Sequence, residues 1–374
     1  MVTSGPLRTI AVLDAVMIKE FQIDLFGVIN SHNRYGCLKF MNYSILCPKC
    51  QSDKIHLEKL ISLIPAPYYL GWSILSFAFL LISALILMLF EKTFRYLDAF
   101  LIISVIIALE GTIISWAHNK IESFENILMS IVDLPKGAII ETCRKQKADI
   151  FNEREMIIFA IIFIIFVHIT GIDYHAVSFN TSISFFIFKF LYYIAVYLEG
   201  AGLYILIMTA FAVHKIGALP LRVDALYSDF HAIGLLYSKF TICAACVYVI
   251  WGFFHIIVPP QFSSLQMILW FASFAFLLFA YFILPQYSIH NMMRSTKKEK
   301  IERLSSQLRA AMDGSFEVPT DRNLSHLKDI FIVQDKLNQM CEWPFGTCEL
   351  LYITLIIIIP FVIVLLEIAL GIIK

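Results

Sequence analysis

The chain has 374 residues, 59% of them hydrophobic and only 16% charged, with a mean hydropathy of +0.77. Those values exclude an ordinary soluble globule and point to a membrane protein whose first partner is the lipid bilayer. Lys plus Arg and Asp plus Glu number 29 each, so no basic field argues for nucleic acid as a partner.

Residues 1–68 read as a cytoplasmic or interfacial segment. Arg8, Asp14, Lys19, Glu20 and Asp24 interrupt its start, and no small-residue cleavage site follows a compact apolar core, which argues against a cleavable signal peptide. From Thr9 to Ile29, Ile10, Leu13, Met17, Phe21, Phe26 and Ile29 recur at helical spacing, the pattern of an amphipathic helix lying on the membrane. Cys47-Pro-Lys-Cys50 then has the spacing of a zinc knuckle, with His32, Cys37 and His56 as the nearby residues able to complete a tetrahedral site. A second cysteine pair is missing, so a reduced pair without zinc is the other reading. The eight cysteines form no secreted-type framework, and free thiols in a reducing compartment are expected.

Seven apolar runs of spanning length follow, at 69–90, 97–117, 156–172, 181–213, 236–258, 264–284 and 350–373. With the N-terminus inside, the cytoplasmic segments hold 24 Lys plus Arg and the outer ones 3, a strong positive-inside bias that also puts the C-terminus outside. The fold class expected is an all-α polytopic membrane protein with seven transmembrane helices. Residues 69–284 carry the first six spans, interrupted by a cytoplasmic loop at 118–155. Residues 285–348 read as a cytoplasmic helical hairpin. A first helix continues from the sixth span with Met293, Ile301, Leu304, Leu308 and Met312 as its stripe and breaks at Asp313-Gly314, and a second runs from about Asp321 to Met340. Residues 349–374 form the last span.

Ionisable residues inside spans are costly and need a reason. Glu110, His168, Lys189 and Glu199 fall well inside, and Glu367 lies near the outer end of the last span. Depth allows Glu110 to pair with His168 and Lys189 to reach Glu367. Gly200 and Gly202 beside Glu199 suit close helix approach. On the last span Glu349, Tyr352, Ile356, Pro360, Ile363, Glu367 and Gly371 share one face at 100° per residue, and Pro360 kinks the helix. Acids flanking an apolar constriction form a cation pore when several such helices surround an axis, which requires an oligomer. No P-loop, G-x-S-x-G, H-E-x-x-H or glycine-rich dinucleotide turn is present, so no enzyme is expected.

Pro220, Leu221 and Asp224, then Pro285 with His290 and Met293, then Glu342, Trp343, Pro344 and Phe345 entering the last span, resemble a family of uncharacterised prokaryotic multi-pass membrane proteins. That family's first motif reads P-L-H-P-D, with Arg222 here in place of the His, and it implies no activity. Separately, the architecture resembles the insect odorant and gustatory receptor type of ligand-gated cation channel, although the aromatic-rich signature of that type's final span is absent. The resemblance implies a tetramer with the last helix lining the conduction path. A channel-like protein of the cell membrane is therefore the expected function. The alternatives are a secondary transporter with a mid-membrane site near Glu110, His168 and Glu199, or a membrane-anchored interaction scaffold.

Overall fold

A computed structural model of the chain describes residues 56–64, 66–92, 96–122, 124–171, 182–217, 219, 227–258 and 264–315, and beyond those 328, 330–335, 337, 338, 343, 351, 354, 355, 358 and 362. They lie in the second of the two units into which the chain divides, Ile55–Lys374. Among the described residues the protein is helical, without strands: α1 His56–Ile61, α2 Tyr68–Ile86, α3 Leu97–Glu122, α4 Phe124–Ile131, α5 Lys136–Ile150, α6 Glu153–Ile169, α7 Ser182–Ile216, α8 Tyr227–Ile257 and α9 Ser264–Ser315. Five stretches, built on α2, α3, α7, α8 and α9, are long and apolar enough to cross a membrane. Of the two other sequence-predicted spans, the third corresponds to α6, whose 17 residues reach about 26 Å. Leu351, Thr354, Leu355, Ile358 and Val362 of the seventh are helical.

Local sequence explains the helix ends. Pro67, held at φ −53° and ψ 146°, keeps the chain extended just before α2. A π-helical turn, Leu87–Glu91, prolongs α2 and stops at Lys92, whose φ of 52° is left-handed. The Asn152 side chain caps α6 by accepting from the Glu155 amide at 3.5 Å, with Glu153 and Glu155 placed favourably for the helix dipole. α9 is the longest element: its 52 residues run about 78 Å, far beyond a hydrocarbon core of about 30 Å. It passes through Asp313-Gly314 to Ser315 without breaking at the glycine.

Pro285 sits inside α9 and removes the amide that would bond the Tyr281 carbonyl. The Tyr237 hydroxyl of α8 donates to that carbonyl at 2.8 Å, and the two tyrosine rings stack at 4.9 Å. The freed acceptor is thus satisfied from a neighbouring helix, and the proline is accommodated without a break. Beyond it, α9 meets the returning chain. Lys297 Nζ donates to the Asn338 carbonyl at 3.1 Å, and His290 stacks on Trp343 at 4.2 Å. The order of these two contacts, Lys297 with Asn338 and His290 with Trp343, runs antiparallel to α9.

The packing is inverted relative to a water-soluble bundle. α2 buries Gly71, Trp72, Ser76 and Ser83 and turns Ile74, Phe77, Leu81, Ile82 and Leu85 outward. α6 likewise exposes Ile158, Ile161, Ile162 and Ile165 around a buried Ala160. Small residues bring the helices together. A Cβ on Gly111 would collide with the Trp72 ring, and one on Gly200 would lie 2.9 Å from the Ala160 backbone. Such an exterior is stable where an apolar solvent covers it, and in water it would drive association.

At one end of the bundle α1 ties three helices together. His56 Nε2 bonds the Tyr197 hydroxyl of α7 at 2.7 Å, Glu58 pairs with His118 of α3 at 3.1 Å, and Lys59 reaches Glu153 of α6 at 3.4 Å. The Lys59 pair is exposed and contributes little; the Glu58–His118 pair is buried and packs edge-on against Phe151.

Two outcomes follow from these contacts. Replacing Tyr237 with Phe leaves the Tyr281 carbonyl unpaired, and the unfolding free energy in detergent should drop by about 1–3 kcal/mol. Burial holds the His56 pKa below its ordinary 6.5, against the opposing pull of Glu153. The unfolded chain therefore takes up the proton first, and stability falls as the pH drops through that window. Between about pH 7.5 and pH 5.5 the melting temperature of the native protein should fall further than that of a His56→Gln variant.

Candidate functional site

A cavity of about 490 Å³ lies between α3, α7, α8 and α9, with Val167 of α6 at its edge. It is elongated. Its lining runs from Tyr192 to His214 on α7, about 33 Å, and from Trp270 to Pro285 on α9, about 22 Å at 1.5 Å per residue. Phe211, Leu277 and Leu284 line it and are also 56%, 53% and 67% exposed, so it opens sideways between α7 and α9.

The walls are apolar and aromatic, with Tyr192, Tyr248, Trp251, Trp270 and Phe274 among them. These rings brace one another. Tyr192 meets Trp251 edge-on at 5.8 Å, Trp251 stacks on His255 at 6.0 Å, and Tyr248 stacks on Phe274 at 6.1 Å. The polar groups are few. Glu110, midway along α3, is 3% exposed and accepts from the Trp251 indole at 2.9 Å through Oε1. Its Oε2 is buried and has no hydrogen-bond partner among the described residues. Glu199 of α7 faces the same cavity, near enough for its charge to act on Glu110. His255 lies toward one end, and His214, bonded to Ser288 at 2.6 Å, toward the other. No Lys or Arg lines the cavity among the described residues.

The structure thus brings Glu110 and Glu199 to one cavity, and neither His168 nor Lys189 is among its lining residues. His168 sits in the last turn of α6 on an exposed face, where the Tyr193 hydroxyl lies 3.4 Å from its Nδ1, whereas Glu110 is bonded by Trp251. Lys189 has its ammonium about 6 Å from the rings of Phe185, Tyr192 and Tyr193. Gly200 does allow close helix approach, but a Cβ on Gly202 would meet nothing within 4 Å, because that glycine faces the cavity. Trp343 is at the hairpin, stacked on His290. Pro220, Leu221, Asp224, Glu342, Pro344, Phe345, Pro360 and Glu367 lie outside the described residues, as do His32, Cys37, Cys47 and Cys50 of the candidate zinc site. His56, the remaining candidate ligand, has its Nε2 engaged by Tyr197.

Trp251 and His255 are absent from the sequence-level candidates. The rule that selects Glu110, an ionisable group within a span, selects His255 equally well, and Trp251 one turn before it is the matching donor. No family model matches the chain, and no curated protein or solved structure matches it.

Trp251→Phe strips Glu110 of its donor and should lower stability in detergent by about 1–3 kcal/mol. Adding Glu110→Met should recover most of that loss, since two apolar partners leave no buried polar group unsatisfied.

Proposed function

We propose that the protein is a seven-span membrane protein that binds a small molecule at mid-membrane and carries it along a path inside a single chain. The observation that carries this reading is the elongated cavity with Glu110 and Glu199 facing it. Its volume falls in the range of small-molecule sites, and its length approaches that of the hydrocarbon core. A few polar groups set in apolar walls are the usual form of a ligand site. Orientation follows from the 24-to-3 distribution of Lys plus Arg, with the N-terminus inside and α6 and the last helix completing the seven spans. In that frame His214 and Pro285 mark the cytoplasmic end of the path and His255 and Trp270 the outer end, with the paired acids between them.

A second reading is the chemoreceptor-like channel, a tetramer with the last helix at its axis. It is favoured by the exposed stripe of Leu351, Leu355, Ile358 and Val362, which a neighbouring copy or lipid would cover. It places the path between chains, whereas the Glu110 cavity lies within one.

Cysteine accessibility tests the leading reading. In lipid vesicles, Gly202→Cys should react readily with methyl methanethiosulfonate, a neutral reagent. Ala201→Cys, at a packed position with no exposed surface, should react at least tenfold more slowly. Equal rates at the two positions would remove the cavity as a solute path.

A further inference from the structure

We propose that the cavity selects an organic ammonium ion, held by the Glu110 carboxylate and enclosed by the rings of Tyr192, Tyr248 and Trp251. This inference rests on the cavity being a ligand site, and it names the chemical class of the ligand.

Three independent observations converge on a cation. The first is Glu110 itself. Its Oε1 is satisfied by Trp251, while its Oε2 is buried without a partner among the described residues. A buried carboxylate oxygen left without a partner is expensive, and a positive charge placed beside it, with or without an N–H to donate, offsets that cost. The second is the charge of the lining: Glu110 and Glu199 face the cavity with no Lys or Arg among the described residues to neutralise them. Two carboxylates in one apolar site are stabilised by a positive charge between them. Lys189 is the nearest cation along α7, but it is not among the lining residues, and its ammonium lies beside the rings of Phe185, Tyr192 and Tyr193. The third is the wall. Aromatic faces attract ammonium groups through their quadrupole, and they do so most strongly where water is excluded.

Size decides between an organic ion and a bare one. A cavity of about 490 Å³ with mainly apolar walls leaves most of its volume unused around an alkali ion. An alkali ion also requires several oxygen ligands at close range. An ammonium carried on an apolar or aromatic body matches both the acids and the rings. The sideways opening at Phe211, Leu277 and Leu284 suits a ligand of that amphipathic kind.

The test uses a water-soluble pair of equal shape that differs in charge: 3-hydroxyphenyltrimethylammonium and 3-tert-butylphenol. Binding is measured by calorimetry on the full chain in lipid nanodiscs. The native protein should bind the ammonium at least tenfold more tightly than the phenol. Glu110→Gln keeps an oxygen for the Trp251 indole, so it should retain phenol binding and lose the tenfold preference. Gly202→Trp, which places an indole in open cavity, should abolish binding of both. Equal affinity of the two compounds for the native protein overturns the ammonium inference and leaves the cavity reading standing. Binding of neither compound, or binding that survives Gly202→Trp, overturns both. Displacement of the ammonium by millimolar sodium, with phenol binding unchanged, assigns the acids to a bare cation and also overturns the inference. Because the isosteric comparison is made on the native chain, it holds even if a variant fails to fold.

Discussion

An apolar surrounding is the constraint on which this structure depends. The outward faces of α2, α6 and the part of α9 before Pro285 are aliphatic and aromatic, so polar groups along them find their partners inside the bundle. Most do so locally. Ser73, Ser83, Thr209 and Thr241 donate to the carbonyl four residues back in their own helices. Others reach across: the Trp72 indole to Ser115 at 3.1 Å, the Ser76 hydroxyl to the Ser104 carbonyl, and the Tyr237 hydroxyl to the carbonyl freed by Pro285. Against that economy a few buried polar atoms are left without a hydrogen bond among the described residues, and one of them, Oε2 of Glu110, belongs to a residue on the cavity wall.

The same constraint explains why the void exists. Helices in lipid gain little from burying apolar surface against each other, so close contact depends on small residues. Gly111 lets Trp72 of α2 lie on α3, and Gly200 lets α6 lie on α7. The helices that meet at the cavity carry large rings there. They face one another through Tyr192, Tyr248, Trp251, Trp270 and Phe274, whose rings brace each other at 4.8–6.1 Å and hold the walls apart. Bulk at one interface and glycine at the next divide the bundle into a tightly packed side and an open one.

Much of this was legible in the sequence, and the limits have physical causes. Helix class and the five stretches long and apolar enough to cross a membrane follow from the hydropathy runs. Glu110 and Glu199 follow from the cost of charge in hydrocarbon. What sequence could not supply was pairing. Depth along a span constrains which residues share a level but not which way they point. Depth alone lets Glu110 pair with His168, whereas its partner is Trp251, 141 residues away on α8. The α1 anchor illustrates the same limit. Three short-range-looking residues, His56, Glu58 and Lys59, engage three different helices, and no periodicity in a six-residue segment announces that.

Gly200 and Gly202 show how finely direction matters. Both sit beside Glu199 on α7, and both read as small residues suited to helix contact. Two residues of α-helix turn the chain by about 200°, so the glycines point to nearly opposite sides. One meets Ala160 and Phe163 at contact distance and closes α6 onto α7; the other meets nothing and leaves the cavity its width. A side chain at Gly200 would push α6 away from α7, while a side chain at Gly202 would fill the space in front of Glu110 and Glu199 and leave the packing intact. The stretch Glu199-Gly200-Ala201-Gly202 therefore sets the acid, the helix contact and the width of the cavity within about one turn.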